Sequence, residues 1–323
     1  MVQSSLLLRK NLLHMKRFVY SFIISIVSIS AYSQTLTDGL LMPKKDLCVG
    51  FLYTHDQWKN YWEGELKRDN QNIGTITTQS LTFVANYGVT DKLNVIAMLP
   101  YVQTQSSRGT LAGMKGVQDL SVAAKYRIFA RDFTASGFRA FAAGSFSTPL
   151  TNYTPDFLPL SLGLASTNLS GRLTANYHLN QGWYVNTSGA YTWRSNVKID
   201  RTSYFSDGQL YFSDEVRMFD TFDFVINTGY YKNGLQADLY YSQQNTLGGG
   251  DIRRQDMPFV SNRMNFSKVG VLLMYYLPKP KNLAVRASVS YTVAGRNVGQ
   301  STTLMGGLLY TLHFSKTNNV SNP

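Results

Sequence analysis

YGVTDKLNVIAMLPYVQTQSSRGTLAGMKGVQDLSVAAKYR, residues 87 to 127, holds a tight turn, a strand, a long polar loop and a second strand. In the first strand Leu93, Val95, Ala97, Leu99 and Tyr101 share one face. In the second, Leu120, Val122, Ala124, Tyr126 and Ile128 do the same, with Ser121, Ala123, Lys125 and Arg127 opposite. A period of two puts one side of each strand against something apolar and lets the other be wet. Each run is long enough to cross a bilayer, which takes ~9–11 tilted residues.

The same rhythm fills the rest of the chain. Strands are expected near residues 46–56, 74–87, 136–148, 164–179, 183–199, 235–245, 265–277, 283–292 and 301–314, with one more ending in Phe222 to Thr228. Connections after strands two, four, six, eight and ten are short, whereas four of the six others exceed ten residues. The pattern predicts an all-β fold: a transmembrane up-and-down antiparallel β-barrel of about 12 strands, within a range of about 10–14, with short periplasmic turns and long external loops. Closure removes unpaired edges, each group of which would cost several kcal/mol in lipid.

Composition agrees. Of 323 residues 44% are hydrophobic and 13% aromatic, with 21 Tyr and 18 Phe, and the aromatics alternate with Asn, Ser, Thr and Gln rather than forming apolar runs. The single Cys48 excludes an internal disulfide. Lys16 and Arg17 precede an apolar run, Phe18 to Ile29, and then Ala31-Tyr32-Ser33, the layout of a secretory leader cleaved after Ser33. Residues 1–33 are therefore expected to be a signal peptide, 34–314 the barrel and 315–323 a short periplasmic tail. Without the leader's four cations, 27 basic residues stand against 19 acidic ones, a balance of +8. In a secreted chain this points to anionic lipid or an anion-attracting pore rather than nucleic acid.

The central hairpin resembles the outer-membrane barrels grouped as the "MetA-pathway of phenol degradation" family. The matching words are Tyr87-Gly88-Val89-Thr90-Asp91-Lys92-Leu93, Leu99-Pro100-Tyr101, and Gly116 through Asp119-Leu120 to Lys125-Tyr126-Arg127. The last strand resembles the assembly signal of such barrels at Gly307, Tyr310, Leu312 and Phe314, departing from it in the nine residues after Phe314. The resemblance implies passage of small, aromatic or otherwise apolar compounds across the outer membrane. The expected partners are outer-membrane lipid and lipopolysaccharide, the barrel-assembly machinery and a small-molecule solute.

Period two assigns the lumen wall. Lys125, Arg127, Arg139, Arg172, Arg194, Arg217, Lys268, Arg286 and Arg296 are expected to line it, against Asp119, Asp223 and Asp238. Such a wall concentrates anions, or its Arg side chains form ladders with Asp and Asn that hold the interior shut. Val84, Ile96, Met98, Phe141, Leu272, Met274, Met305 and Leu309 also fall inward, giving an apolar path or a filled core. Twelve strands lie between the solid eight-stranded barrel and the open sixteen-stranded one. Tyr101, Tyr126, Tyr177 and Trp183 are candidate interface anchors. Leu308 is expected to face lipid and Leu309 lumen water.

Enzyme chemistry finds little support. His55, His178 and His313 have no Asp or Glu at ligand spacing, so neither a metal nor a cofactor is expected. His313 and Ser315 share a face, but no third residue to orient the imidazole is evident, which sets lipid hydrolysis behind two other readings. Those are a passive conduit for small molecules and a non-conducting barrel that binds at the surface or stabilises the envelope.

Overall fold

A computed structural model describes residues 35–253 and 257–314. The leader, its cleavage point and the tail from Ser315 onward lie outside the described residues. Twelve long strands form one closed antiparallel sheet: β1 Asp46–Trp58, β2 Ile76–Gly88, β3 Leu93–Ser106, β4 Asp119–Asp132, β5 Ser136–Pro149, β6 Asn168–Leu179, β7 Trp183–Arg194, β8 Thr221–Lys232, β9 Leu235–Thr246, β10 Asn265–Tyr276, β11 Leu283–Arg296 and β12 Thr302–His313. Each pairs with its sequence neighbours, and β1 closes on β12 from Asp46↔His313 to Gln57↔Thr302. No edge of the long strands is left open. No α-helix occurs among the described residues.

The outward face is the apolar one. Across the seam Leu47, Val49, Phe51 and Tyr53 register with Leu312, Tyr310, Leu308 and Gly306 on one side and Tyr87, Ala85, Phe83 and Leu81 on the other. Phe51 and Phe83 meet with ring centroids 5.5 Å apart. The exposed hydrophobics continue round every strand, among them Val95, Val122, Leu173, Leu239, Val271 and Leu308. A continuous belt of this kind far exceeds the few hundred Å² that a water-soluble surface carries, so it is the lipid-facing surface. Tyr101, Tyr126, Tyr177 and Trp183 all stand outward and exposed. Trp183 packs edge-on against Tyr230.

Connection lengths sort the two ends. Residues 89–92, 133–135, 180–182, 233–234 and 277–282 make the short-turn end, and Asp46 and His313 also lie there. The opposite, loop end carries residues 59–75, 107–118, 150–167, 195–220 and 247–264, together with the short 297–301. Within these loops are small pairings that periodicity did not anticipate: Asn60–Glu63 with Leu66–Asp69, Val197–Lys198 with Glu215–Val216, Tyr204–Ser206 with Gln209–Tyr211, and Lys115–Val117 against β3.

Two irregularities break the strict alternation. The β4–β5 register shifts between Arg127 and Phe129, and the β10–β11 register shifts between Ser267 and Lys268, where Val293 is passed over. Each extra residue turns the rest of its strand over. The second shift removes Arg296 from the lumen list, because beyond it Arg296 registers with outward Asn265 while Gly295 faces Trp62.

Candidate functional site: an occluded lumen

Inside the barrel at the short-turn end lies the chain's own segment 35–43, threaded against the wall rather than along the sheet. Two glycines allow the approach. A Cβ at Gly39 would stand 2.3 Å from Asn176 Cγ of β6, and one at Gly88 of β2 would stand 1.9 Å from the Pro43 carbonyl oxygen. At Gly88 the clash is with backbone and no side chain fits, and at Gly39 one would force the Asn176 side chain aside.

Lys125 anchors the segment. It projects inward from the middle of β4, is 0% exposed, and donates to the carbonyl oxygens of Thr35 (2.8 Å), Asp38 (2.8 Å) and Leu40 (3.0 Å) and to Asp38 Oδ1 (2.9 Å). Its ammonium lies 5.0 Å from the centroid of the Phe141 ring. Asp38, 4% exposed, also accepts from the Thr35 amide and hydroxyl and from the Leu40 amide. A buried ion pair holds only when its remaining lone pairs and protons are satisfied, and this one is capped on both sides. Farther along, Met42 is 1% exposed and packs with Cys48, Met274, Ala284 and Leu309, with Leu52, Val84 and Leu272 around them. Leu309 thus faces a packed apolar pocket and not lumen water, a correction to the expectation from its facing alone.

The other inward side chains form ladders. Arg172 on β6 donates to Ser188 Oγ on β7 at 2.9 Å, and Arg172 and Arg194 both lie within electrostatic reach of Asp223 on β8. Asp238 on β9 accepts from Tyr184 and from Gln236 Nε2 (2.8 Å). Arg286 on β11 is inward, with a buried Nε that makes no hydrogen bond. Arg127 donates to the Asp91 carbonyl oxygen and, with Arg139 and Phe141, lines a cavity of about 280 Å³ beside residues 39–43. Lys268 on β10 lies over Phe266 and lines a cavity of about 320 Å³ toward the loop end. Asp119 accepts from the Tyr153 hydroxyl at 2.6 Å.

Two of the expected lumen cations lie elsewhere. Arg217 belongs to the 195–220 connection, where it covers the Phe219 ring, because the ladder of β8 begins only at Thr221 and the alternation does not extend before it. Arg296 grips Asp251 through Nε and Nη2, both at 2.8 Å, and Glu65 through Nη1 at 2.9 Å. The guanidinium holds the Asp251 carboxyl below the usual carboxylate range, so the Arg296–Asp251 pair contributes stability above the ordinary pKa of about 3.9 and loses it as pH falls through the lower folded value.

Asn297 ties the same loops and carries no sequence signal beyond its turn-forming type. It adopts a φ of 56°, accepts from the amides of Gly64 (2.8 Å) and Ile252 (3.0 Å), and donates to Asp251 (2.7 Å) and to the Arg263 carbonyl oxygen (2.8 Å). Each bond lost from a buried partner costs ~1–3 kcal/mol. Asn297→Ala is therefore expected to free the 247–264 loop in a folded barrel. Faster tryptic cleavage at Arg253 and Arg263 would show it, and unchanged cleavage would refute it.

Of the four residues expected to form an assembly signal, Tyr310 and Leu312 on β12 and Phe314 just after it are exposed on the outer face, while Gly307 lies against Leu52 of β1. His313 Nδ1 lies 2.9 Å from Asp46 Oδ1 across the seam, a partner that sequence spacing did not reveal. Ser315 lies outside the described residues. His178 lies 3.8 Å from Asp132 at the short-turn end.

Residues 72–306 match the model of the family described as "Putative MetA-pathway of phenol degradation". The chain belongs to this family. No curated protein sequence matches it. Among solved structures, this phenol-degradation family barrel is similar to the COG4313 outer membrane channel from Pseudomonas putida F1, at 14% identity and a TM-score of 0.68, covering 88% of this chain and 100% of that one. The likeness fixes the closed twelve-stranded fold. The NanC porin (10% identity, TM-score 0.45, covering 81% and 100%) and the translocator domain of autotransporter NalP from Neisseria meningitidis (8%, 0.43, 94% and 97%) are more distant.

Proposed function

We propose that this family member is a conduit through the outer membrane for small apolar and amphipathic compounds, aromatic ones included, and that residues 35–43 form its periplasmic gate. The observation that carries this reading is the seat of the segment: a single buried cation, Lys125, holds three backbone carbonyls and one carboxylate of a stretch that is otherwise outside the sheet. Inward wall residues support it too, since withdrawal of the segment would uncover apolar surface at Met274 and Leu309 beside the arginine ladders.

A second reading, a non-conducting barrel, is favoured by the same filled lumen. Uptake separates the two. Cells expressing the chain should accumulate a labelled aromatic compound from dilute solution faster than cells with an empty outer membrane, and still faster when residues 35–43 are deleted. Equal initial rates in all three would sink the conduit reading.

A further inference from the structure

Segment 35–43 fills two neighbouring places of opposite chemistry. At one, the Asp38 carboxylate sits on Lys125, with Phe141 against the ammonium and Arg286 within electrostatic reach of Asp38. Arg172 is close enough to Lys125 to add to the positive potential there. At the other, Met42 occupies the pocket of Met274, Ala284 and Leu309. Met42 lies four positions after Asp38, a span of at most ~14 Å. The wall also offers more than the segment uses, since Arg286 Nε is buried there with no acceptor.

We propose that this pair of subsites binds amphipathic monocarboxylates, head on Lys125 and tail toward Met274 and Leu309, and that Asp38 and Met42 are their resident stand-ins. The inference rests on the conduit reading and names its solute class. When the segment withdraws, Lys125 loses all four of its oxygen partners and its ammonium opens to the lumen beside Phe141 and Arg172. A solute carboxylate restores the pairing. A cationic amphiphile of the same length meets Lys125, Arg172 and Arg286, and a neutral one leaves them bare, so discrimination comes from repulsion as well as attraction. The lumen acids offset this only in part, because Asp238 near Arg286 and Asp223 near Arg172 and Arg194 are two carboxylates against the four cations Lys125, Arg172, Arg194 and Arg286.

Calorimetric titration of the full chain in neutral-lipid nanodiscs with octanoate, octylamine and octanamide, corrected with empty discs, tests the assignment. Octanoate alone should bind saturably. Asp38→Asn, which removes the internal competitor, should tighten it by roughly tenfold by relieving the closed-state penalty. Lys125→Met should abolish it. Heat-modifiable migration verifies that each variant is folded. Equal binding of octanoate and octylamine, or no gain in folded Asp38→Asn, overturns the proposal. If that failure accompanies normal aromatic uptake by cells, the conduit reading stands and only the solute class is wrong; absent uptake in cells lacking residues 35–43 overturns the conduit itself.

Discussion

Lys125→Met is expected to release residues 35–43 from the lumen while leaving the barrel folded. The substitution keeps an unbranched side chain one atom shorter and removes every hydrogen bond that Lys125 makes to Thr35, Asp38 and Leu40. Asp38 is then a carboxylate, 4% exposed, without its ion partner. Breaking one side of a buried pair costs ~3–5 kcal/mol, and each 1.4 kcal/mol is about tenfold in an equilibrium. Hydrogen exchange at the Thr35 and Leu40 amides should accelerate by about 100-fold or more, whereas exchange in β4 and β5 should not change. Adding Asp38→Leu should recover much of the protection, because replacing both members of a buried pair by apolar groups is often neutral. Unchanged exchange in the single variant would mean that Lys125 is a bystander.

Arginine at positions 308 and 309 should fail in different ways. Leu308 is 54% exposed on the lipid face near the middle of β12, and a charge at the bilayer midplane costs such barrels ~2–4 kcal/mol. Leu308→Arg is expected to lose the heat-modifiable folded band. Leu309, 2% exposed, packs instead on Met42, Met274 and Ala284. An arginine there displaces Met42 and joins a cationic wall, so Leu309→Arg should keep the band and loosen the segment. A lost band for Leu309→Arg with a retained one for Leu308→Arg would reverse the facing of β12 and of the lumen wall derived from it.

The barrel was legible because lipid and water impose period two on every membrane-crossing strand. Strands expected near 136–148, 235–245 and 265–277 are Ser136–Pro149, Leu235–Thr246 and Asn265–Tyr276. Alternation ceases to inform where the ladder ceases. Arg217 precedes the first ladder residue of β8, and Arg296 follows a bulge that no local residue type announced. Residues 164–167 and 195–199, read from the alternation as extensions of β6 and β7, belong to the loop end, where Thr167 and Ser195 are joined by a backbone bond outside the sheet.

The lumen segment was illegible for a different reason. Thr35 to Pro43 has neither strand nor helix period, and its partners, Lys125, Asn176 and Met274, lie far away in sequence. One signal was present: Leu40-Leu41-Met42-Pro43 is more apolar than a connection leading into a first strand requires. That Lys125 faces inward follows from the alternation. That it binds backbone carbonyls of residues 35, 38 and 40 is a tertiary fact, set by the space that a twelve-stranded barrel leaves at its centre.

The central claim is that residues 35–43 close a pore that the strands alone would leave open. Single-channel recording in planar bilayers, comparing the full chain with one lacking residues 35–43, measures this directly. The account predicts a small or intermittent current for the full chain and a several-fold larger, steady one for the shortened chain; equal currents from the two folded proteins would contradict it.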